Sequence, residues 1–257
     1  MYDMAHEVAD RAARSAGEVL KQKFGNVHHI GKKGEIDLVT EAEIAAEKII
    51  LEMLSKHFPK DNIQSEEAGV QDLSSNRTWI VDPLDGTTNF AHGFPFFAVS
   101  IGLEIDAEIV LGIVYNPVMD EFFEARKGQG AFLNDRPIHV SNARNLSDSL
   151  LATGFPYDIR ERSNRIFEQF RTMLLASRGV RRAGSAAIDM CYVASGRLDG
   201  LWEENLKPWD TAAGVVIVSE AGGKLSTCDG QAFTPYRQSL VACTPMIHGE
   251  MVKALNG

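Results

Sequence analysis

The stretch WIVDPLDGTTNF, residues 79–90, is the part of the sequence from which the fold is predicted outward. Its apolar start, residues 79–81, predicts a short buried strand. We expect this strand to end at Asp82, because Pro83 has no backbone N–H to donate within a central sheet. Asp85 follows three residues after Asp82. The sequence therefore predicts two carboxylates close together where a buried strand ends.

Small and hydroxylated residues come directly after the second carboxylate. Gly86 allows the chain to turn sharply or to approach a ligand closely. Thr87, Thr88 and Asn89 are residue types that cap the N-terminus of a helix. Such a helix end attracts phosphate through its free N–H groups. The pattern predicts a place where phosphate binds beside the two carboxylates.

The chemistry of this stretch leaves two interpretations open. The carboxylates of Asp82 and Asp85, together with the carbonyl of Leu84, are hard oxygen ligands of the kind that Mg²⁺ prefers. In the other interpretation the stretch is an ordinary polar turn, in which Asp85 caps a helix and Asp82 is solvated. The remaining sequence decides between them.

Composition narrows the classes of function. The 257 residues are 44% hydrophobic, which is enough for a large core, and the formal net charge is -9. An acidic chain is a poor partner for nucleic acid, although bound metal ions still allow a small anionic substrate. The cysteines show no C-x-x-C spacing, which argues against a zinc site and favours a reducing cytoplasm. Residues 1–14 carry no apolar signal segment and no run has membrane-spanning length, so we expect a cytoplasmic protein without a membrane partner.

Hydrophobic periodicity predicts helices followed by a meander in the first half of the chain. Amphipathic patterns indicate helices over residues 4–24 and 40–57, separated by a loop at 26–35. Beyond them, alternating apolar residues over 97–115 predict a hairpin with a short turn at 106–108, and further antiparallel strands follow.

The second half of the chain alternates strands with helices up to a terminal helix from residue 248. The sequence contains no linker, internal repeat or low-complexity tract. We therefore expect one domain over residues 1–257, with a change of layer near residue 145 that divides it into 1–145 and 146–257.

Acidic residues outside the central stretch have structural explanations of their own. Thr40 and Glu43 have the spacing of a capping box at a helix start. Glu66 and Glu67 fit a solvated pair in an extended segment, where neighbours point to opposite faces and at most one of them faces a given site. Asp210 opens an almost wholly apolar helix, where the dipole favours an anion but burial is costly unless the charge is compensated.

Taken together, these acidic segments resemble a known family. The runs 66–67 (EE), 82–87 (DPLDGT) and 209–213 (WDTAA) resemble the three-part metal-site motif of the inositol monophosphatases, in that family's order. Residues 37–40 (DLVT) and 184–191 (GSAAIDMC) are similar to further family segments. The resemblance covers nearly the whole chain. It implies an α+β fold built as a layered α-β-α-β-α sandwich, usually as a homodimer.

The resemblance also implies a centre of two to three Mg²⁺ ions and sensitivity to lithium. Glu66, Asp82 and the Leu84 carbonyl would hold one ion. Asp82, Asp85 and Asp210 would hold a second. Glu66 would face a third, more weakly held ion through water.

Further roles follow from the same resemblance. Thr87 would orient the attacking water together with Glu43 and with the metal ligand Glu66. Family members often carry Asp where Glu43 stands, so its capping role stays equally open. Ser185 stands where Thr is common and keeps the hydroxyl. The residues implied in binding substrate are Asp85, Gly86, Thr87, Thr88, Gly184, Ser185, Ala186, Glu203 and Asp210.

The expected activity is Mg²⁺-dependent hydrolysis of a small phosphorylated polyol or sugar, led by myo-inositol 1-phosphate. We expect direct attack by a metal-activated water, because aspartyl-phosphate chemistry usually places one residue between two Asp and no P-loop is present. Fructose 1,6-bisphosphate, a 3′-phosphonucleotide, NADP or histidinol phosphate are alternative substrates. A non-catalytic binding protein is the alternative from another class. Arg181 and Arg182 fit either a second anionic group or a structural ion pair.

Overall fold

The computed structural model describes residues 3–25, 30–32, 38–156 and 159–257. The helices in these segments are α1 Asp3–Lys23, α2 Glu41–His57, α3 Thr87–Ala91, α4 Ile159–Ala176, α5 Ala186–Ala194, α6 Pro208–Glu220 and α7 His248–Asn256. Among these described helices, none combines the length and the apolar character needed to span a bilayer. The Asp37 of the DLVT segment lies outside the described residues.

The strands fall into a large sheet, a smaller sheet and one separate pair. The separate pair is β1 Ile30–Lys32 and β2 Leu38–Thr40. The strands of the large sheet are β3 Asn62–Ser65, β4 Gly69–Gln71, β5 Arg77–Asp85, β6 Ala98–Ile105, β7 Glu108–Asn116, β8 Glu121–Arg126, β9 Ala131–Leu133 and β10 Arg136–Ile138. Those of the smaller sheet are β11 Leu150–Thr153, β12 Gly179–Arg181, β13 Gly200–Glu204, β14 Lys224–Ser226 and β15 Ser239–Cys243.

In each sheet, one strand that carries predicted site residues lies between two neighbouring strands. The large sheet has the order β10-β9-β8-β7-β6-β5-β3-β4 and is antiparallel apart from the parallel pair β3 and β5. The smaller sheet has the order β12-β11-β13-β15-β14 and mixes parallel with antiparallel pairs. The end of β5 and the end of β13 therefore both lie inside a sheet.

Helices and sheets alternate in layers. α1 and α2 pack together on one face of the large sheet, and α5 and α6 fill the space between the two sheets. α4 and α7 cover the other face of the smaller sheet. This order confirms the layered α-β-α-β-α sandwich expected from the sequence.

Local patterns predict the meander well and the separate strand pair poorly. β6 and β7 form the expected hairpin, and its turn is the two residues Asp106 and Ala107, both with positive φ as such tight turns require. The segment 26–35, by contrast, is predicted to be a loop, yet it contains β1, which pairs with β2. The three residues of β1 are too few to show an alternating pattern.

Two glycines allow α6 to lie directly on the large sheet. Gly102 on β6 and Gly112 on β7 face each other across the strands. A Cβ added to Gly102 would lie 2.8 Å from the Cβ of Ala212, and one added to Gly112 would overlap the backbone of Ala213. The resulting groove confirms the predicted burial of α6 and fixes the position of its first turn, which carries Asp210.

Candidate active site

Asp82 and Asp85 lie near the end of β5, but this strand is longer than the sequence predicts. The predicted end at Asp82 is wrong, because the strand continues through Pro83 to Asp85. Asp82 pairs with Ser100 and Asp85 with Ala98, so β5 has one extra residue at this point and bulges. The bulge takes Pro83 out of the hydrogen-bond ladder, where its missing N–H would otherwise be costly.

The chain turns directly after β5 and brings a hydroxyl to a buried carboxylate. Gly86 has a φ of 94°, and a Cβ there would lie 2.9 Å from the Phe96 carbonyl oxygen, so this position needs glycine. Thr87 is buried at the start of α3. Its hydroxyl lies 3.0 Å from the Leu84 carbonyl oxygen and 3.4 Å from a carboxylate oxygen of Glu43, and donates to these acceptors. The structure therefore brings together the Thr87 and Glu43 that the sequence pairs.

Three glutamates form a cluster beside this turn. One carboxylate oxygen from each of Glu43, Glu66 and Glu67 lies within 4.8 Å of the others, and Glu43 is fully buried. The expectation that only one of the neighbouring glutamates faces the site is wrong. Residues 66–68 form the turn between β3 and β4, so the alternation of an extended strand does not apply to them.

Asp210 reaches the site from the start of α6. The helix begins at Pro208, slightly earlier than predicted, and Asp210 is its third residue. The carboxylate of Asp210 accepts a hydrogen bond of 2.7 Å from the backbone N–H of Lys207, which has no partner within the helix. The hydroxyl of Ser100 on β6 donates to the Trp209 carbonyl at 3.4 Å and ties this first turn to the large sheet.

Asp82 is the electrostatic centre of the carboxylates. Burial raises its pKa well above the usual range, and the negative charges of Glu66, Asp85, Asp210 and Glu43 raise it further. Burial also raises the pKa of Asp210 well above its usual range, with the charge of Asp85 as the next cause. So many buried anions at one point cost free energy unless cations neutralise them. Carboxylates in this arrangement could hold a metal ion that prefers hard oxygen ligands.

Asp85 connects β5 to α5. Its Oδ2 accepts hydrogen bonds from the Ser185 hydroxyl at 2.5 Å and from the Ala187 N–H at 2.8 Å. The same hydroxyl accepts a bond of 3.3 Å from the Ile188 N–H and so caps α5. Burial raises the pKa of Asp85 to about 6, and the bonds from Ser185 and Ala187 oppose that rise. The Ser185 hydroxyl is therefore already used to orient Asp85.

A cavity of about 330 Å³ lies between the end of β5 and the smaller sheet. Every residue predicted to bind substrate lines it: Asp85, Gly86, Thr87, Thr88, Gly184, Ser185, Ala186, Glu203 and Asp210. The cavity is the right size for a small ligand such as a phosphorylated sugar. Asp82 interacts both with Asp85 and Asp210 on the cavity wall and with the glutamate cluster, and so joins the two parts of the site.

The smaller sheet contributes Glu203 from β13. Burial raises the pKa of Glu203 to about 8. The charges of Asp189 and Asp85 raise it further, and the charge of Arg182 opposes the rise. The Glu203 carboxylate lies so close to Gly154 that a Cβ at that position would overlap it. A residue larger than glycine at 154 would therefore displace this acceptor from the cavity wall.

The two neighbouring arginines have different surroundings. Both are exposed, and the Arg181 guanidinium donates to the Val180 carbonyl at 3.4 Å. Arg182 lines the cavity, with its guanidinium carbon 5.8 Å from the centre of the Phe155 ring. Among the cavity-lining residues in the described segments, Arg182 is the single Lys or Arg side chain. Of the two, only Arg182 is placed to face a ligand.

Sequence reasoning missed two contributors to this site. Glu67 belongs to the cluster, and the Gly69 that follows it, with a φ of 76°, is a turn signal that argues against an extended pair. Asn89 donates through its side-chain amide to the carbonyls of Phe96 at 2.6 Å and Ala183 at 2.9 Å, linking α3 to the loop before α5. No local pattern reveals the second contact, because its partners are far apart in the sequence.

The fold and site define a phosphoric monoester hydrolase, and comparison with known proteins agrees. The model of the inositol monophosphatase family matches residues 2–257. The chain belongs to this family. It is 45% identical over 251 residues to an inositol-1-monophosphatase of Synechocystis, covering 97% of this chain and 88% of that protein. It is 44% identical over 248 residues to an inositol-1-monophosphatase of Mesorhizobium japonicum, covering 95% and 93%.

A solved structure shows the same fold. The extragenic suppressor protein suhB of Bartonella henselae superposes on this chain with a TM-score of 0.93 at 42% sequence identity, over 98% of both chains. The layered sandwich is therefore shared along the whole length, including the segments that carry the carboxylates.

Proposed function

We propose that this phosphoric monoester hydrolase uses Mg²⁺ to hydrolyse small phosphorylated polyols, with myo-inositol 1-phosphate as the preferred substrate and inositol and phosphate as products. The observation that carries the proposal is the cluster of Glu43, Glu66 and Glu67 together with a cavity of about 330 Å³ whose wall includes Asp85 and Asp210. Two relatives above 40% identity bear the name inositol-1-monophosphatase, which supports the choice of substrate.

The donor atoms fit magnesium. They are carboxylate oxygens and one backbone carbonyl, without a histidine or thiolate among the proposed ligands, and hard oxygen donors favour Mg²⁺ over softer metals. Burial and the neighbouring negative charges raise the pKa of Asp82, and a bound cation would offset this cost of ionisation. Glu66, Asp82 and the Leu84 carbonyl would hold one ion.

A second ion would be held by Asp82, Asp85 and Asp210, and a third would lie near Glu66. When bound, the ions neutralise the phosphate, lower the pKa of water and stabilise the departing alkoxide. Asp82 would thus be a ligand of both of the first two ions, and the negative charges of Glu66, Asp85 and Asp210 act on it. Asp85 can bind the second ion through its other carboxylate oxygen, because only Oδ2 accepts the hydrogen bonds from Ser185 and Ala187.

The chain's own residues orient the nucleophile. The Thr87 hydroxyl has one proton, which it shares between the Leu84 carbonyl at 3.0 Å and the Glu43 carboxylate at 3.4 Å, and its lone pairs remain available to accept a hydrogen bond from water. Glu43 lies within 3.4 Å of that hydroxyl despite standing where the family often has a shorter Asp. We therefore assign Glu43 and Thr87 to water orientation. One carboxylate oxygen of Glu43 lies in the cluster, which supports this assignment.

The substrate would lie with its phosphate at the turn after β5 and its polyol toward the smaller sheet. Backbone N–H groups of Gly86 and Thr87 would bind phosphate oxygens, with Thr88 at the exposed rim. Polyol hydroxyls would donate to Glu203, and the backbone around Gly184 and Ala186 would complete the wall. Direct in-line attack at phosphorus then needs no covalent intermediate.

Phosphate release from a panel of phosphomonoesters tests the proposal. The assay is run with Mg²⁺, without Mg²⁺ and with Mg²⁺ plus Li⁺, and the Asp85→Asn protein measures contaminating phosphatase. We expect Mg²⁺-dependent, Li⁺-inhibited release led by inositol 1-phosphate. Activity led by fructose 1,6-bisphosphate, a 3′-phosphonucleotide, NADP or histidinol phosphate would replace the substrate, and Arg182 on the cavity wall is the observation that favours a second anion. Folded protein that is silent throughout would instead indicate a binding protein.

The proposal includes three properties beyond the reaction. We propose a single domain over residues 1–257, because no linker tract divides the sequence, a homodimer, as the family resemblance implies, and a cytoplasmic location, as the cysteine spacing favours. Light scattering measures the mass in solution, and a mass of one chain would contradict the homodimer.

A further inference from the structure

Glu47 is a buried carboxylate that neither the proposed metal set nor the cavity wall includes. It lies on α2, one turn after Glu43, and is 7% exposed. Its Oε1 accepts hydrogen bonds from the Ser65 hydroxyl at 2.5 Å, the Ala68 N–H at 2.9 Å and the Glu67 N–H at 3.2 Å. Buried carboxylates persist where such bonds compensate for lost water. All of the Glu47 bonds go to one short stretch of chain.

That stretch includes the turn that carries Glu66 and Glu67, two members of the cluster. Ser65 ends β3, and residues 66–68 turn the chain into β4. The turn has little packing of its own, because β4 is exposed along its whole length and Val70 is 70% exposed. A bond of 3.2 Å from the Glu66 N–H to the Val81 carbonyl fixes one side of the turn. The bonds to Glu47 fix the other side.

The helix that supplies this clamp also supplies the third member of the cluster. Glu43 and Glu47 are four residues apart and so lie on the same face of α2. The helix is held rigidly, because Ala46, Ile50 and Leu54 between and beyond them are fully buried. Because α2 carries both Glu43 and Glu47, the hydrogen bonds to Glu47 fix the position of the turn relative to Glu43.

We propose that Glu47 is a positioning residue, which holds the turn 66–68 so that Glu66 and Glu67 meet Glu43 and which thereby sets the affinity of the site for its divalent cation. The inference rests on the proposed metal-dependent function. Groups that orient metal ligands from outside the coordination sphere typically change metal affinity about 10- to 100-fold when they are removed. A residue that only stabilised the fold would leave the affinity of the folded protein unchanged.

The test is calorimetric titration of the substrate-free protein with Mg²⁺. We expect Glu47→Ala to raise the Kd for Mg²⁺ by about 10-fold or more. Glu47→Gln keeps an oxygen that accepts the two backbone N–H bonds, so its Kd should stay within about threefold of wild type. Ser65→Ala removes one of the three bonds, keeps the charge of Glu47 and should give an intermediate Kd, which keeps the inference testable if Glu47→Ala does not fold.

Asp61 provides the matched control. It is also 7% exposed, and it accepts bonds from the Arg77 guanidinium at 2.9 Å and the Trp79 indole at 3.0 Å, away from the cluster. Asp61→Ala should lower the unfolding midpoint as Glu47→Ala does, with an unchanged Kd for Mg²⁺. An unchanged Kd in Glu47→Ala, or an equal rise in Asp61→Ala, would overturn the positioning role alone. Wild-type protein that binds no Mg²⁺ would overturn the proposed function together with it.

Discussion

Replacing Ser185 by alanine tests how the two halves of the site are joined. The substitution removes the hydrogen bond of 2.5 Å to Asp85 and the cap of 3.3 Å to the Ile188 N–H. A hydrogen bond to a charged group contributes about 1.5–3 kcal/mol to stability. Loss of an N-cap costs about 0.5–2 kcal/mol. We therefore expect Ser185→Ala to lower the free energy of unfolding by about 2–4 kcal/mol when Asp85 is ionised.

The pH dependence of this loss follows from the pKa of Asp85. Burial raises that pKa to about 6 in the folded protein, so the carboxyl group is ionised at pH 8 and mostly neutral at pH 5. A bond between neutral groups contributes only about 0.5–1.5 kcal/mol. The raised pKa means that ionised Asp85 itself weakens the folded state as pH rises through 6, and the Ser185 hydroxyl offsets part of that loss. The stability lost in Ser185→Ala should therefore be larger at pH 8 than at pH 5.

Urea unfolding of the metal-free protein at both pH values measures the effect. Ser185→Thr keeps the hydroxyl and is the control, and it should lose less than about 1 kcal/mol. A loss below about 1 kcal/mol in Ser185→Ala, or an equal loss at pH 5 and pH 8, would refute the reasoning. A small loss would mean that the Ala187 N–H orients Asp85 without help from the hydroxyl. An equal loss at both pH values would mean that the contribution of the hydroxyl does not depend on the charge of Asp85.

Three further changes test other parts of the structure. Asp210→Asn keeps the shape of the first turn of α6 but replaces a charged ligand by a neutral one, so kcat should fall by roughly 100-fold or more, and near-normal kcat at saturating Mg²⁺ would contradict the assigned role. Gly112→Ala forces a Cβ into the backbone of α6 and should lower the free energy of unfolding by about 1–3 kcal/mol, as measured in urea. Gly249→Ala is the control. Nothing lies within 4 Å of a Cβ at that position, so this change should not lower the free energy of unfolding. Arg182→Gln should lower kcat/KM for a sugar bisphosphate at least about tenfold while leaving monophosphates less affected, whereas Arg181→Gln should match wild type; equal effects of both changes on both substrates would remove the second-anion role.

The parts of the fold that depend on neighbouring residues could be predicted from the sequence. The β6–β7 hairpin follows from alternating apolar residues on either side of a short turn, and the burial of α6 follows from its apolar composition. The continuation of β5 past Pro83 could not be predicted, because a bulge is defined by the partner strand, and Ser100 and Ala98 lie on a different strand. Local rules predicted β6 and β7 but did not give the register between strands.

The same distinction applies to the site. Asp82, Asp85 and Asp210 were predicted to share one site because the runs that carry them resemble a family motif, whereas the local pattern around each residue left a structural explanation open. Glu67 was excluded by a rule for extended strands that a turn does not obey. Glu47 looked like an ordinary helix residue in the sequence. The hydrogen bonds that distinguish it come from Ser65, Glu67 and Ala68, which are distant from it along the chain.

Because α6 lies between the two sheets and comes late in the chain, the order of synthesis on the ribosome determines when the site can assemble. Asp82 and Asp85 emerge in the first half of the chain, whereas Asp210 emerges near its end, and Asp85 is oriented by α5 from the second half. A nascent chain that has formed only the large sheet therefore carries only part of the proposed ligand set, and it lacks the layer of α5 and α6 that packs on that sheet. The proposed ligand set is therefore complete only when α6 has packed into the groove at Gly102 and Gly112.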